Sequence, residues 1–283
     1  LPSPHIEYPS LMLHHNTGTY SRERMMVTQD LAKMGAARVS METFDGDFCI
    51  LKQNASEVEI QFYEHAAQIL EGVNTPQLLK RCKRDLYIEY IPNKPTLSQL
   101  QIHNSTFEQL SFLHQSTYRP SFAVKIHEWK NQATDLALHT LNLPITTQSS
   151  IKAVQTLSSE LFEYPGLISG DTNDGNWGTR NNGDLVLFDW ERFGLGSPAI
   201  DLAPLVRGLG TLDDYHTIVE RYSHSNPNAP ASLLLKHLII AKMWIVVEVV
   251  NILIRRHNPE TGTYIEWYQT HLPKWLTSME KLL

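Results

Sequence analysis

The chain has 283 residues, enough for one large core or two smaller lobes. Apolar residues make up 42% and charged residues 19%, ordinary proportions for a folded globular protein. A net charge of −6 argues against nucleic-acid or anionic-membrane binding, and two cysteines, Cys49 and Cys82, are too few for a disulfide framework and suit a reducing cytoplasm.

The opening segment LPSPHIEYPSLMLHH has neither a basic n-region nor a long apolar h-region, so no signal peptide is expected there. GAARVSMET reads as a strand, FDGD as a turn and FCILKQ as the returning strand. Asp45-Gly46 between apolar runs is a hairpin signal, because a type I′ turn needs positive φ at its centre. SEVEIQFYEHAAQILEG follows as a helix ending at Gly72. A polar hairpin comes after Pro76, then the apolar run LYIEYI. Pro92 and Pro95 start a connector, since proline cannot continue a ladder.

Beyond residue 96 the pattern turns helical, in TFEQLSFLHQSTY, WKNQATDLALHTL and ITTQSSIKAVQTLSSELFEY. A polar loop with short strands interrupts it, and helix resumes from about residue 198. The apolar stretch over residues 233–254 is broken by Lys236, Lys242 and Glu248. It lacks the charge-free run of about 18 residues that a span requires, so a core helix is expected and no membrane partner. The chain therefore reads as α+β and two-lobed. A small antiparallel β-rich lobe with one helix and an N-terminal extension covers residues 1–92. A larger, mainly helical lobe with the polar loop and a substrate pocket covers residues 93–283. A nucleotide is expected in the cleft between them, as domain interfaces favour ligands.

The segment LISGDTNDGNWGTRNNGDLVLFDWERFGLGSPAIDLA, residues 167–203, carries the chemistry. Asp171 and Asn176 share one loop, Asp189 follows the strand LVLF, and Asp201 lies further on. A carboxylate at Asp171 suits a group that orients an acceptor hydroxyl and takes its proton, help worth about 10²–10⁴-fold. Alone, that loop reads as an ordinary Asp/Asn/Gly turn. Asn176 and Asp189 alter the reading, because Mg²⁺ takes one or two protein oxygens together with phosphate oxygens and water. Asp174 and Asp184 sit in polar turns and read as solvated charge.

Lys52 ends the strand FCIL, where it can reach the α- and β-phosphates as a point charge. Glu57, Glu59 and Glu64 are candidate partners for it. Glu59 is preferred because Phe62 and Tyr63, three and four residues on, place it on a buried face; Glu64 is the alternative. Lysine, asparagine and two aspartates are the groups that kinase-type phosphoryl transfer arranges around Mg-ATP.

These motifs resemble the aminoglycoside phosphotransferase and choline kinase superfamily, whose fold is protein-kinase-like. Its pattern H-G-D-x-x-x-x-N, then a strand and [IV]-D-[FW]-[DE], is matched by SGDTNDGN and LFDWE, with a downstream acid in SPAIDLA. The resemblance implies Asp171 as catalytic base, Asn176 and Asp189 as metal ligands, and Asp201 as a brace of the catalytic loop. It implies that Lys52 and Glu59 position ATP, or GTP, and that main-chain groups of Glu89, Tyr90 and Ile91 in YIEYIP meet the base. His114 in LSFLHQ is implied to be structural. Ser169 stands where the family usually has histidine, and the phosphate-covering loop LAKMGAARVS offers only Gly35.

On the acceptor side, Trp244 and Glu248 share a helix face and could hold an ammonium group by cation–π and charge attraction; a core tryptophan beside a paired acid is the bland alternative. Trp190 and Glu191 are further candidates, with Trp177 and Trp267. Arg255, Arg256 and His257 read as a helix C-terminal cap. The expected activity is Mg-dependent transfer of the ATP γ-phosphate to a hydroxyl of an amino alcohol, sugar or aminoglycoside-like molecule. A binding module on the same fold, with weak or no transfer, is the second reading, which Ser169 and the glycine-poor loop favour.

Overall fold

The computed structural model describes residues 38–283. The N-terminal extension and the loop containing Gly35 lie outside the described residues. In chain order the strands and helices begin with β1 (Arg38–Phe44), β2 (Asp47–Gln53), α1 (Glu57–Gln61), β3 (Leu78–Cys82) and β4 (Asp85–Glu89). Then come α2 (Leu97–Ile102), α3 (Asn104–Gln115), α4 (Asn131–Leu141), α5 (Ile145–Thr156), α6 (Ser159–Phe162) and β5 (Leu167–Ile168). The hairpin β6 (Trp177–Thr179) and β7 (Leu185–Leu187) precedes β8 (Gly194–Leu195), α7 (Ala199–Leu202), α8 (Leu212–Ser225), α9 (Ala231–Arg255) and α10 (Thr261–Met279).

The chain divides into two compact units. One holds described residues 38–112 with Thr117–Lys125 and Asp171–Phe193; the other holds Leu113–Ser116, Ile126–Gly170 and Gly194–Leu283. Residues 93–112, Thr117–Lys125 and the 171–193 hairpin segment all group with the sheet rather than with the helices of the other unit, although they follow residue 92. Hydrogen bonds explain it. Asn93 and Thr179 exchange backbone bonds, and Asn74 and Gln109 both donate side-chain N–H groups to Leu185 O. Arg180 adds a bidentate pair with Glu89 at 2.7 and 2.8 Å.

The first unit is built on an antiparallel sheet in the order β1-β2-β4-β3. Asp45 and Gly46 take φ of 53° and 96°, the paired positive values that the Asp-Gly signal requires for the β1–β2 turn. Ser56 caps α1 by accepting from Glu59 N–H at 3.2 Å, and Glu57 and Glu59 complement the helix dipole. The helix does not run evenly to Gly72. It widens into a π turn over Phe62–Ala66, where Ala67 N–H bonds Phe62 O, and then loosens into turns. Packing has overridden propensity here. Phe62 and Tyr63 are both buried, and Phe62 stacks on Trp190 with centroids 4.0 Å apart and planes 9° apart.

The second unit is mainly helical. Its central element is α9, which packs against α4, α7 and α8. By length and composition α9 could cross a membrane, yet 67% of its most apolar window is buried inside the fold, the behaviour of a core helix. Lys242, on α9, is itself buried and donates to Val206 O at 2.8 Å. Thr211 and Asp214 form a reciprocal capping box at the start of α8. Cys49 is buried, Cys82 is exposed, and neither is in a disulfide.

Candidate active site

The site belongs to the sheet-bearing unit and starts at the end of β2. Side chains alternate along a strand, so Lys52 lies on the face opposite Leu51. Its Nζ lies 2.7 Å from Glu59 Oε2 and 2.6 Å from Asp189 Oδ1. Burial works to lower the lysine pKa, but the two carboxylates outweigh it and hold the ammonium above its ordinary value. Glu59 has no exposed surface; burial raises its pKa and Lys52 pulls it back. Glu64 is turned to Arg81 instead, 2.7 Å away. Position explains the choice, since Glu59 sits in the capped first turn, close to the end of β2.

The β6–β7 hairpin brings the proposed metal groups together. Its ladder pairs Trp177 with Leu187, and Phe188 N–H donates to Asn176 O. Asn176 is thereby opposite Phe188 and one residue from Asp189. Asn176 is buried and spends its amide N–H on Asp171 O at 2.9 Å, which leaves the amide oxygen as the group for a cation. Asp189 takes φ 65° and ψ 68°, a left-handed conformation uncommon outside glycine. Such a conformation costs of order 1–3 kcal/mol and tends to cluster at functional sites.

Gly170, at φ 79°, turns the chain into Asp171. Asp171 is half-buried and accepts from Asn173 Nδ2 at 2.6 Å. Desolvation raises its pKa; Arg192 opposes the shift and Asp189 adds to it. Glu191 is also half-buried and raised, first by desolvation and then by Asp189. Asn173 and Arg192 are the groups that sequence reasoning missed. Their only signals were adjacency, Asn173 two residues after Asp171 and Arg192 closing DWER.

One carboxylate and one amide oxygen fit a magnesium site that is completed by phosphate. Among the described residues no cluster of three His, Cys, Asp or Glu side chains could hold a metal alone. The Glu89 side chain is engaged by Arg180 and by Gln77 N–H, and its own N–H bonds Gln77 O. Tyr90 and Ile91 lie just past the end of β4. Gly178 permits Ile91 to sit close, since a Cβ there would fall 2.5 Å from Ile91 Cγ2.

Two acceptor assignments need correcting. Trp190 has no exposed surface, donates Nε1–H to Leu187 O and stacks on Phe62, so it packs the core and cannot touch an acceptor. Trp244 is only 3% exposed in the helical unit, with Phe162 and His127 packed edge-on against it, so no cation reaches its ring. Glu248, one turn on, is half-buried. Trp177 is buried under its own loop and bonds Thr172 O, while Trp267 stacks on His271.

Asp201, in the helical unit, accepts from the backbone N–H groups of Ser169 at 2.7 Å and Gly170 at 2.8 Å. His114 lies 3.1 Å from Asp201 and 2.8 Å from the Tyr222 hydroxyl. The two residues before Asp171 are thus tied to a buried carboxylate. Ser169 Oγ is buried without a hydrogen-bond partner.

A sheet with a lysine–glutamate pair, joined to an aspartate–asparagine loop and a hairpin ending in aspartate, defines the class: a protein-kinase-like small-molecule phosphotransferase. The phosphotransferase enzyme family model matches residues 51–231, and the chain belongs to that family. The fold is shared with a microcompartment-associated aminopropanol kinase at 12% identity and TM-score 0.62, over 87% of this chain and 91% of that one. It is shared with LicA in complex with AMP at 13% identity and TM-score 0.58, over 86% and 88% of the two chains. Macrolide 2′-phosphotransferase from Brachybacterium faecium matches at 14% identity and TM-score 0.56, over 85% and 90%. No curated protein matches the sequence.

Proposed function

We propose that the protein transfers the γ-phosphate of ATP, or GTP, with Mg²⁺, to a hydroxyl of a small polar molecule in the cytoplasm. The observation that carries this reading is Lys52, held between Glu59 and Asp189 beside the Asp171–Asn176 loop. Lys52, anchored by Glu59, would hold the α- and β-phosphates. Main-chain groups of Tyr90 and Ile91 would meet the base. Asn176 and Asp189 would hold magnesium, which would supply positive charge against that of the phosphates. Asp171 would orient the acceptor hydroxyl and take its proton as the new O–P bond forms and the nucleoside diphosphate leaves.

Asp171, Asp189 and Glu191 act electrostatically on one another with Lys52 and Arg192 among them, so the acids outnumber the cations by one at this end of the site. That supports a cationic acceptor, an amino alcohol or aminoglycoside-like molecule, ahead of a neutral sugar. The similar aminopropanol kinase agrees with that class. The test is thermal stability with ATP and GTP, each with and without Mg²⁺, on the wild type and Asp189→Ala. A Mg-dependent rise that vanishes in the variant supports the reading, and acceptors are then screened by nucleoside-diphosphate release. No rise at millimolar nucleotide would favour a binding module instead.

A further inference from the structure

Tyr63 lies four residues after Glu59, on the same side of the helix, and is only 1% exposed. Its hydroxyl is buried without a hydrogen-bond partner, and Glu59 Oε1 is likewise buried and unpartnered. Leaving a phenol and a carboxylate oxygen both unsatisfied in a core is costly, and buried polar groups in native proteins are nearly always paired. Burial first, and then Glu59, Lys52 and Asp189, act on the phenol. Tyr63 also sits within the π turn Phe62–Ala66, a wide turn of the kind that is frequent at functional sites.

The two orphans have a common explanation if the cluster has a second arrangement. Lys52 is now shared between Glu59 and Asp189. Once Asp189 turns to a metal and Lys52 to phosphate, Glu59 alone must anchor the lysine, and its second oxygen needs a donor. We propose that Tyr63 is a positioning residue for Lys52, its hydroxyl donating to Glu59 Oε1 in the nucleotide-bound state. This rests on the kinase reading above. It assigns Tyr63 a role in nucleotide affinity rather than in the fold.

The test is Tyr63→Phe, which deletes one oxygen from a packed ring. Nucleotide affinity is measured by calorimetry with Mg-ATP, and Tm is measured without nucleotide. The expected result is an unchanged or higher Tm with affinity roughly ten-fold weaker, the scale of a lost hydrogen bond to a charged group. In a Glu59→Gln background, itself weakened, Tyr63→Phe should add little, because both act through one bond. Wild-type affinity in Tyr63→Phe, or losses that simply add, would overturn the role of Tyr63 and leave the kinase reading standing. If the wild type binds neither ATP nor GTP, the kinase reading fails and this inference fails with it.

Discussion

The ammonium of Lys52 lies 2.6 Å from Asp189 Oδ1, so the carboxylate assigned to the metal is held by the lysine assigned to phosphate. The pair places a positive charge beside Asp189, whose own charge acts on Asp171 and Glu191. Under the proposed function, phosphate would take Lys52 and magnesium would take Asp189 out of this pair. Each ligand would then replace the opposite charge that its own residue gives up.

Asp189→Asn should therefore separate metal use from folding. Asparagine tolerates the left-handed conformation, so the fold is kept. Under the proposed function the lost negative charge would remove the stronger metal ligand, and Mg-dependent stabilisation by ATP should disappear. Turnover should fall by at least about 10²-fold, the scale for deleting one group that stabilises transition-state charge. Parallel magnesium titrations of stability and of nucleoside-diphosphate release check both outcomes.

Glu59→Gln and Glu64→Gln should behave oppositely. Removing one partner of a buried pair costs about 3–5 kcal/mol when the remaining charge is stranded, and Asp189 here reduces that by keeping contact with Lys52. Glu59→Gln should lower Tm and weaken nucleotide binding together. Glu64 pairs with Arg81 at the surface, where ion pairs contribute little. Glu64→Gln should leave nucleotide affinity as it is, and equal losses in both variants would count against the assignment of Glu59.

Much of this site was legible in the sequence because its signals are local. Asp-Gly between two strands predicts the β1–β2 turn, and SGDTNDGN with LFDWE points to the loop and hairpin that converge in space. What escaped is set by packing across long separations. The π turn depends on Trp190, more than a hundred residues away, stacking on Phe62. The same stack is why Trp190 could not be distinguished from an acceptor-binding aromatic: a place just after a strand shows neither which neighbour arrives nor how completely it covers the ring. The grouping of the hairpin with the sheet depends on Asn74, Gln109 and Arg180, polar residues without a motif.

Asp171 gives a prediction in which stability and activity move apart. Burial raises its folded pKa, so folding favours the protonated acid. Its stabilising contribution is complete below the unfolded carboxylate value of about 3.9 and is lost as pH rises through the raised folded value. At neutral pH the wild type carries this ionised carboxylate at a cost. Asp171→Asn should be more heat-stable than wild type at pH 7, with the gain shrinking towards pH 4, while turnover is lost. The acidic limb of the wild-type pH–rate profile should lie above the ordinary aspartate range. A stability gain that does not depend on pH would locate the effect elsewhere.

Lys242 makes the complementary case in the helical unit. Burial alone lowers its pKa from the usual lysine value to about 7. Between that value and the ordinary lysine pKa of about 10.4 the unfolded chain binds more protons than the folded one, so stability rises with pH across this window. Below it the folded protein must hold a buried ammonium, for which Val206 O is one acceptor. Lys242→Met keeps the length and apolar body of the side chain and removes the proton. It should raise Tm by a few degrees at pH 6, on the order expected for about 1 kcal/mol in a chain of this size, and by progressively less towards pH 9. A Tm that falls in Lys242→Met at every pH would show that the bond to Val206 outweighs the burial of the charge.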